Sequence, residues 1–588
     1  MEEQISFEFE QRPTIKGFPE LRWTGKRPYR STQYYPAQLR EKYGEEKDNW
    51  INKIFWGDNL QVMSHLLKDY RGKIDLIYID PPFDSKADYK KKITVKGAGT
   101  TTSDISSFEE KQYGDIWTND EYLQFMYERL IILRELLSDT GAIYIHCDWH
   151  KSAQLRCICD SLFGSDNFRN EIIWCYRTSL RTSQKSFGKD HDNILFYAKS
   201  DKHKIHPDRK DFPVSEETIK RWGPYADENG FVSNKHFAGS NSTIIDTSDE
   251  SKGFWINQGI PRDWWEVSAN VAKGNTNEVV AGKYPTQKPE ALISRIIKAS
   301  SNPGDIVFDC FMGSGTTQAV AMKLGRKFIG ADINLGAIQT TTKRLIKIAD
   351  ELKADEDKYT GFEVYNVNNY DFFRNPIEAR NLIMEALGIQ SLPAGNVWDG
   401  ELDGRMVKIM PVNHIATKAD LEGLKANLPY KNYNKKKEEN PNKPVEYITI
   451  VCMGHEPDLK ATLEQDLHEY KFDIQIVDIL RDKKALQLKR EAEAEIVREG
   501  NKLVIRSFYP MNLMQKLSLQ KEYVEDWKQL VESVMIDWNY DGVVMQPTIT
   551  DVPDKNSLVA GIYDIPVDAG TIKVKITDLL SESLEMEV

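Results

Sequence analysis

Ile74-Asp75-Leu76-Ile77-Tyr78-Ile79-Asp80-Pro81-Pro82-Phe83 is the stretch that decides the fold. It is apolar up to Ile79 except for Asp75, and rich in the residues that suit a buried strand. It stops at two consecutive prolines, which fix φ and restrict the residue before them, so the backbone at Asp80 is rigid. Upstream, Lys53-Ile54-Phe55-Trp56 reads as a short strand, Gly57-Asp58-Asn59 as a turn and residues 60–70 as an amphipathic helix. Strand, helix and strand in that order predict a parallel sheet covered by helices. Ligands of such sheets bind outside the carboxyl ends of the strands, where Asp80 stands. A carboxylate, a turn that exposes main-chain carbonyls and an aromatic ring suit a planar exocyclic amine. Asp80 and the Pro81 carbonyl would accept its two N–H bonds while Phe83 stacks on its ring. Read alone, the tetrapeptide is also a strand-ending turn that happens to contain two prolines.

The α/β rhythm continues with a helix over 121–138, a strand over 141–147, a helix over 152–163 and strands near 171–176 and 193–197. Residues 84–118, without a strong period, read as a long mobile loop. The rhythm is lost over 200–283, a stretch rich in Trp, Asn, Ser and charge that reads as an inserted module. It returns with a helix over 290–300 and an apolar strand over 305–309. There stands the second informative segment, Asp309-Cys310-Phe311-Met312-Gly313-Ser314-Gly315-Thr316-Thr317. Its glycines permit close backbone approach to a ligand and a tight entry into a helix. No Lys follows the second glycine, so it is not a P-loop, and the third glycine of a dinucleotide fingerprint is missing. Asp332 closes the next strand, where an acidic residue can bind ribose hydroxyls. A nucleoside cofactor without a pyrophosphate fits, and S-adenosylmethionine is one. A purely structural glycine turn is the alternative.

Together, Asp80-Pro81-Pro82-Phe83 and Phe311-x-Gly313-x-Gly315-Thr316-Thr317 resemble the amino-methyltransferases of DNA. The tetrapeptide precedes the cofactor loop, as in the permuted β group of that family. Tyr284-Pro285-Thr286-Gln287-Lys288-Pro289, Gly57-Asp58-Asn59-Leu60 and His191-Asp192-Asn193-Ile194-Leu195-Phe196-Tyr197 resemble further family segments, and the layout is similar to that of type III modification subunits. The resemblance covers roughly residues 50–350. It implies an α/β fold: a Rossmann-like S-adenosylmethionine-dependent methyltransferase sheet with permuted motif order, an inserted recognition module and a mixed α/β C-terminal domain. It implies methyl transfer to N6 of adenine, with Asp80, Pro81, Pro82 and Phe83 catalytic. Asp309, Phe311, Gly313, Gly315, Thr316, Thr317, Asp332, Lys288 and Asp58 would bind the cofactor. The target base would be flipped out of the duplex. Members that methylate cytosine N4 more often carry Ser where Asp80 stands; a non-catalytic recognition subunit is a further alternative. Phe83 replaces the more frequent Tyr, and Met312 stands where a small residue or Cys is common.

At 588 residues the chain exceeds a single core. With 40% hydrophobic and 29% charged residues it is neither mainly disordered nor collagen-like. The expected parts are a lead-in over 1–50, a catalytic domain over 51–355 with the insertion at 200–283 as target-recognition module, and an accessory domain over 356–588. A run of about 18 apolar residues is absent, the N-terminal stretch lacks a signal peptide's apolar core, and the cysteines form no disulfide framework. A cytoplasmic protein without membrane or metal is expected. The net charge of −12 opposes DNA overall, so a local basic surface must hold it. Arg177, Arg181, Lys185 and Lys189, interleaved with aromatic residues, are the candidates. Double-stranded DNA, and a restriction subunit or a second copy of the chain, are the expected partners. Trp255, Trp264 and Trp265 read as core of the insertion, His146, Asp148 and His150 as pocket edge or core, and residues 431–443 as a solvated linker.

Overall fold

The computed structural model describes residues 6–9, 20–82, 88–94, 107–114, 119–176, 190–212, 214–237, 251–259, 261–269, 287–353, 360–367, 380, 383–384, 387–392, 396–410, 416–441, 443–452, 454–455, 459–479, 492–514, 524, 526–553 and 557–588. Ten strands form its central sheet: β1 (Ala37–Tyr43), β2 (Asn52–Trp56), β3 (Ile74–Ile79), β4 (Leu137–Cys147), β5 (Phe168–Cys175), β6 (His191–Ala198), β7 (Trp264–Glu266), β8 (Ile306–Asp309), β9 (Lys327–Asp332) and β10 (Phe362–Val367). They lie in the order β7-β5-β6-β4-β3-β8-β9-β2-β10-β1. From β4 across to β10 all neighbours are parallel; β6 runs against β4 and β5, and β1 against β10.

The helices that cover this sheet are α1 (Asn59–Tyr70), α2 (Asn119–Leu136), α3 (Ser152–Phe163), α4 (Glu290–Ser300), α5 (Thr316–Lys323) and α6 (Leu335–Leu352). Strand β3 shows why both faces are covered. Its side chains alternate between faces: Ile77 and Ile79 share a core with Leu66 of α1, Leu130 of α2 and Leu155 of α3. Leu76 and Tyr78 share the other core with Ile296 of α4, Val320 of α5 and Ile338 of α6. Each such side chain removed from water contributes about 1.5–3 kcal/mol.

Strand β3 pairs directly with β8. The chain leaves β3 toward β4 and leaves β8 toward β9, on opposite sides. That divergence opens a crevice at their carboxyl ends, which places Asp80 beside the glycine loop.

Several expectations change. Residues 37–43 of the lead-in form β1 because Tyr43 stacks on Phe362 of β10, with ring centroids 4.8 Å apart. The sheet also takes in β10, beyond residue 355. Part of 84–118 is a hairpin of Asp88–Thr94 and Ser107–Gly114 rather than a loop. Trp264–Glu266 of the insertion joins the sheet as β7. There Trp265 is buried, but Trp264 and Trp255 are exposed, so the three tryptophans do not form one core. Tyr430–Glu439 is a helix, not a linker: its lysines are solvated while Tyr433 anchors it in a core.

Beyond β10, strands Arg405–Ile409, Glu446–Cys452 and Phe472–Asp478 run parallel, and short antiparallel strands follow from Glu493 to Glu587. The last of these sheets docks on β1 and α6. Lys575 pairs with Glu41 of β1 where both are buried, and Tyr43 Oη donates to Glu41 at 2.6 Å. Met545 exchanges main-chain hydrogen bonds of 3.0 Å with Arg40 and Lys42. Lys343 of α6 meets Glu532 at 2.8 Å. No helix among the described residues is long and apolar enough to cross a membrane.

Burial works against the Glu41 charge, but Lys575 and Tyr43 hold its carboxyl below the ordinary range. Removing one partner leaves a buried charge uncompensated. Lys575→Met should destabilise the docked sheet by about 3–5 kcal/mol, and adding Glu41→Leu should restore most of that. Thermal unfolding of the single and double variants checks this; an unchanged midpoint in Lys575→Met would refute the role of the pair.

Candidate active site at the carboxyl ends of the central strands

Asp80 leaves the end of β3 into the crevice. One of its carboxylate oxygens, Oδ2, pairs with the Lys288 ammonium just before α4. The other, Oδ1, is buried and accepts no hydrogen bond from any described residue. It lies 3.5 Å from Nδ1 of His146, at the end of β4. That ring is fully buried, with Nδ1 at 2.9 Å from the Tyr78 hydroxyl and Nε2 at 3.1 Å from Asp192 Oδ2. Burial opposes the Asp192 charge, but hydrogen bonds from His146 and Tyr176 hold its carboxyl below the ordinary range. Burial pushes the Tyr78 hydroxyl far up, so it keeps its proton.

The glycine loop is built against this cluster. Asp309 ends β8 with Oδ1 accepting from Phe311 N at 2.9 Å and Oδ2 from the Thr317 hydroxyl at 2.6 Å. Asp332 ends β9 with Oδ2 accepting from Gly313 N and Oδ1 from Asn334 N, both at 2.8 Å. Gly315 opens α5 at φ +71°, and a Cβ there would meet Thr341 at 2.4 Å, so only glycine fits. Thr341 Oγ1 donates to the Gly313 carbonyl at 3.2 Å, and Arg344 donates to the Ser314 carbonyl at 3.1 Å and to Glu290 at 2.8 Å. Thr316 Oγ1 donates to the Lys288 carbonyl at 3.3 Å, tying the loop to the residue that pairs with Asp80.

Asp58 caps α1, its Oδ1 accepting from Leu60 N at 2.9 Å, and its Oδ2 meets Arg129 at 3.0 Å. Arg129 also holds Asn59, which donates to the Cys310 carbonyl at 3.2 Å. Phe311 lies 6.1 Å from Phe125 between ring centroids. Asp80, Lys288, Asp309, Gly313, Gly315, Thr316, Thr317 and Asp332 thus gather in one crevice. Pro81, buried, and Pro82, half-buried, continue from Asp80. Phe83, Arg177, Arg181, Lys185 and Lys189 lie outside the described residues. Sequence reading missed the link of His146 to Asp192 and the bracing by Thr341 and Arg344. Only the alternating His146-x-Asp148-x-His150 at a strand end hinted at the first. In the structure His150 turns away to Asp148, at 2.6 Å, so the two histidines do not converge.

The arrangement presents one unfilled carboxylate oxygen beside a backbone cradle, which suits an N–H donor held next to a nucleoside. Burial, and then the nearby Asp80 and Asp332, push the Asp309 carboxyl up to about 7 although Thr317 and Phe311 N oppose this. Burial pushes Asp332 up to about 6. A carboxyl raised on folding contributes stability below its unfolded value that is lost as pH rises through the folded one. Asp309 alone should therefore remove up to about 4 kcal/mol between pH 4 and pH 8. Asp309→Asn should show a shallower loss of denaturant resistance over that range, and an identical slope in both proteins would refute this.

The family model described as DNA methylase matches residues 74–343, which hold both motifs. The chain is 32% identical to the type II methyltransferase M1.MboII of Moraxella bovis, over 48% of this chain and 92% of that one. It is 29% identical to the DNA adenine methyltransferase YhdJ of Escherichia coli K12, over 52% and 87%. It is 25% identical to the Mod subunit of the type III restriction-modification enzyme StyLTI of Salmonella typhimurium, over 48% and 51%. With the crevice formed at the two matched motifs, and one relative spanned almost end to end, the chain belongs to the DNA methylase family.

Proposed function

We propose that the chain transfers a methyl group from S-adenosylmethionine to N6 of adenine in double-stranded DNA. The observation that carries this reading is the buried Asp80 Oδ1, unfilled beside the glycine loop. The adenine-specific relative from Escherichia coli supports the choice of base. An adenine amine has two N–H donors and a lone pair delocalised into its ring, so it needs orientation and charge stabilisation to act as a nucleophile. Asp80 Oδ1 and the Pro81 carbonyl accept those N–H bonds and favour the positive charge that develops on nitrogen. Phe83 stacks on the ring. Gly313 and Gly315 give the cofactor close access to the backbone, Asp332 takes its ribose hydroxyls, and Asp309, Phe311, Thr316, Thr317, Lys288 and Asp58 shape and border its site. When bound, S-adenosylmethionine supplies the methyl group on a sulfonium. Holding both reactants on adjacent strand ends makes the transfer effectively intramolecular.

The base must leave the duplex to reach Asp80. Arg177, Arg181, Lys185 and Lys189, which fall in the sequence between Cys175 and His191, would bind phosphates. Residues 200–283, apart from those that join the sheet as β7, carry target recognition, and the residues beyond β10 offer a docking surface for a restriction subunit, a reading supported by the type III relative.

Transfer of labelled methyl to genomic DNA, followed by nucleoside analysis, tests the reaction and the base together. Wild type should yield N6-methyladenine, and Asp80→Ala should fall by about 10²–10³-fold or more while still binding the cofactor. N4-methylcytosine would overturn the choice of base; absence of transfer to any DNA would overturn the activity of the chain on its own.

A further inference from the structure

We propose that His146, oriented by Asp192, takes up through Asp80 the proton that methylation releases; this rests on the methyl-transfer reading above. A fully buried imidazole between two carboxylates is not explained by packing, because an apolar ring would fill the same space without a polar requirement. Among the described residues, groups from three strands face it. Tyr78 and Asp80 approach from β3, Asp192 from β6 and the edge of Trp174 from β5. Lys288 stands behind Asp80 and Tyr176 behind Asp192, and Asp309 on β8 is the next carboxylate.

This shell accommodates both protonation states of the ring. In the neutral state Nε2–H donates to Asp192 and the Tyr78 hydroxyl donates to Nδ1. In the charged state Nε2–H keeps Asp192, while Nδ1–H turns to the Tyr78 oxygen and Asp80 Oδ1, because a hydroxyl can donate or accept. Asp192 thus fixes the tautomer that leaves Nδ1 toward Asp80. Asp80 has one oxygen committed to Lys288 and the other 3.5 Å from His146 Nδ1, so it stands between the crevice and the ring.

The step balances. An N–C bond forms at N6 as the sulfonium C–S bond breaks, so the positive charge passes from sulfur to N6. One N6 proton moves to Asp80 Oδ1 and on to His146 Nδ1. Neutral methylated adenine, a neutral thioether, the Asp80 carboxylate and an imidazolium between two carboxylates remain. The proton departs to water once the products leave.

Single-turnover methylation of a duplex between about pH 5 and about pH 9 tests this, with His146→Gln, which keeps hydrogen bonding but cannot take the proton, and Asp192→Asn. Equilibrium dialysis of S-adenosylmethionine serves as the folding control, and imidazole ¹⁵N resonances report the ring's protonation without turnover. Wild type should lose rate at acid pH. His146→Gln should bind cofactor normally, lose about 10²-fold at the optimum and lose that acid limb. Asp192→Asn should move the limb to lower pH, since a carboxylate stabilising the imidazolium is gone. His146→Gln with the wild-type rate, or with an even loss that keeps the wild-type limb, would overturn the inference. Cofactor binding by wild type without any N6-methyladenine would instead sink the functional reading, and this inference with it.

Discussion

Lys288 joins the two halves of the crevice. Its ammonium meets Asp80 across 208 residues of sequence, while its carbonyl receives the Thr316 hydroxyl at the start of α5. That cation offsets the negative charge that Asp80 brings into a buried space shared with Asp309 and Asp192. The pair also leaves one oxygen of Asp80 committed and the other unfilled, which gives the carboxylate a direction.

What was legible in the sequence is what depends on near neighbours. The apolar run ending at Asp80-Pro81-Pro82 and the glycine turn ending β8 both carry their own punctuation. Long-range pairing hid the rest. Residues 37–43 carry no strand signal of their own and become β1 because Phe362 and Met545 meet them from far along the chain. Trp264–Glu266 is too short to announce a strand and pairs because β5 offers it an edge. His146 and Asp192 sit on separate strands, and only the antiparallel pairing of β4 with β6 brings their rings and carboxylates together.

The last strands of the chain do more than append a domain. By lining Met545 along β1 and burying Lys575 against Glu41, they cover a sheet edge that would otherwise present unpaired main-chain groups. The helix α6 shares in this contact through Lys343 while bracing the glycine loop through Thr341 and Arg344. One helix therefore touches both the crevice and the docked sheet.

The neighbour relation of β3 and β8 also bears on synthesis. Strand β3 emerges from the ribosome long before β8, the strand that flanks it and holds the glycine turn. At the usual 5–20 residues per second, the delay is roughly ten to fifty seconds. During it an apolar strand edge stays open, shielded only on its β4 side. The centre of the sheet closes only when the second motif arrives.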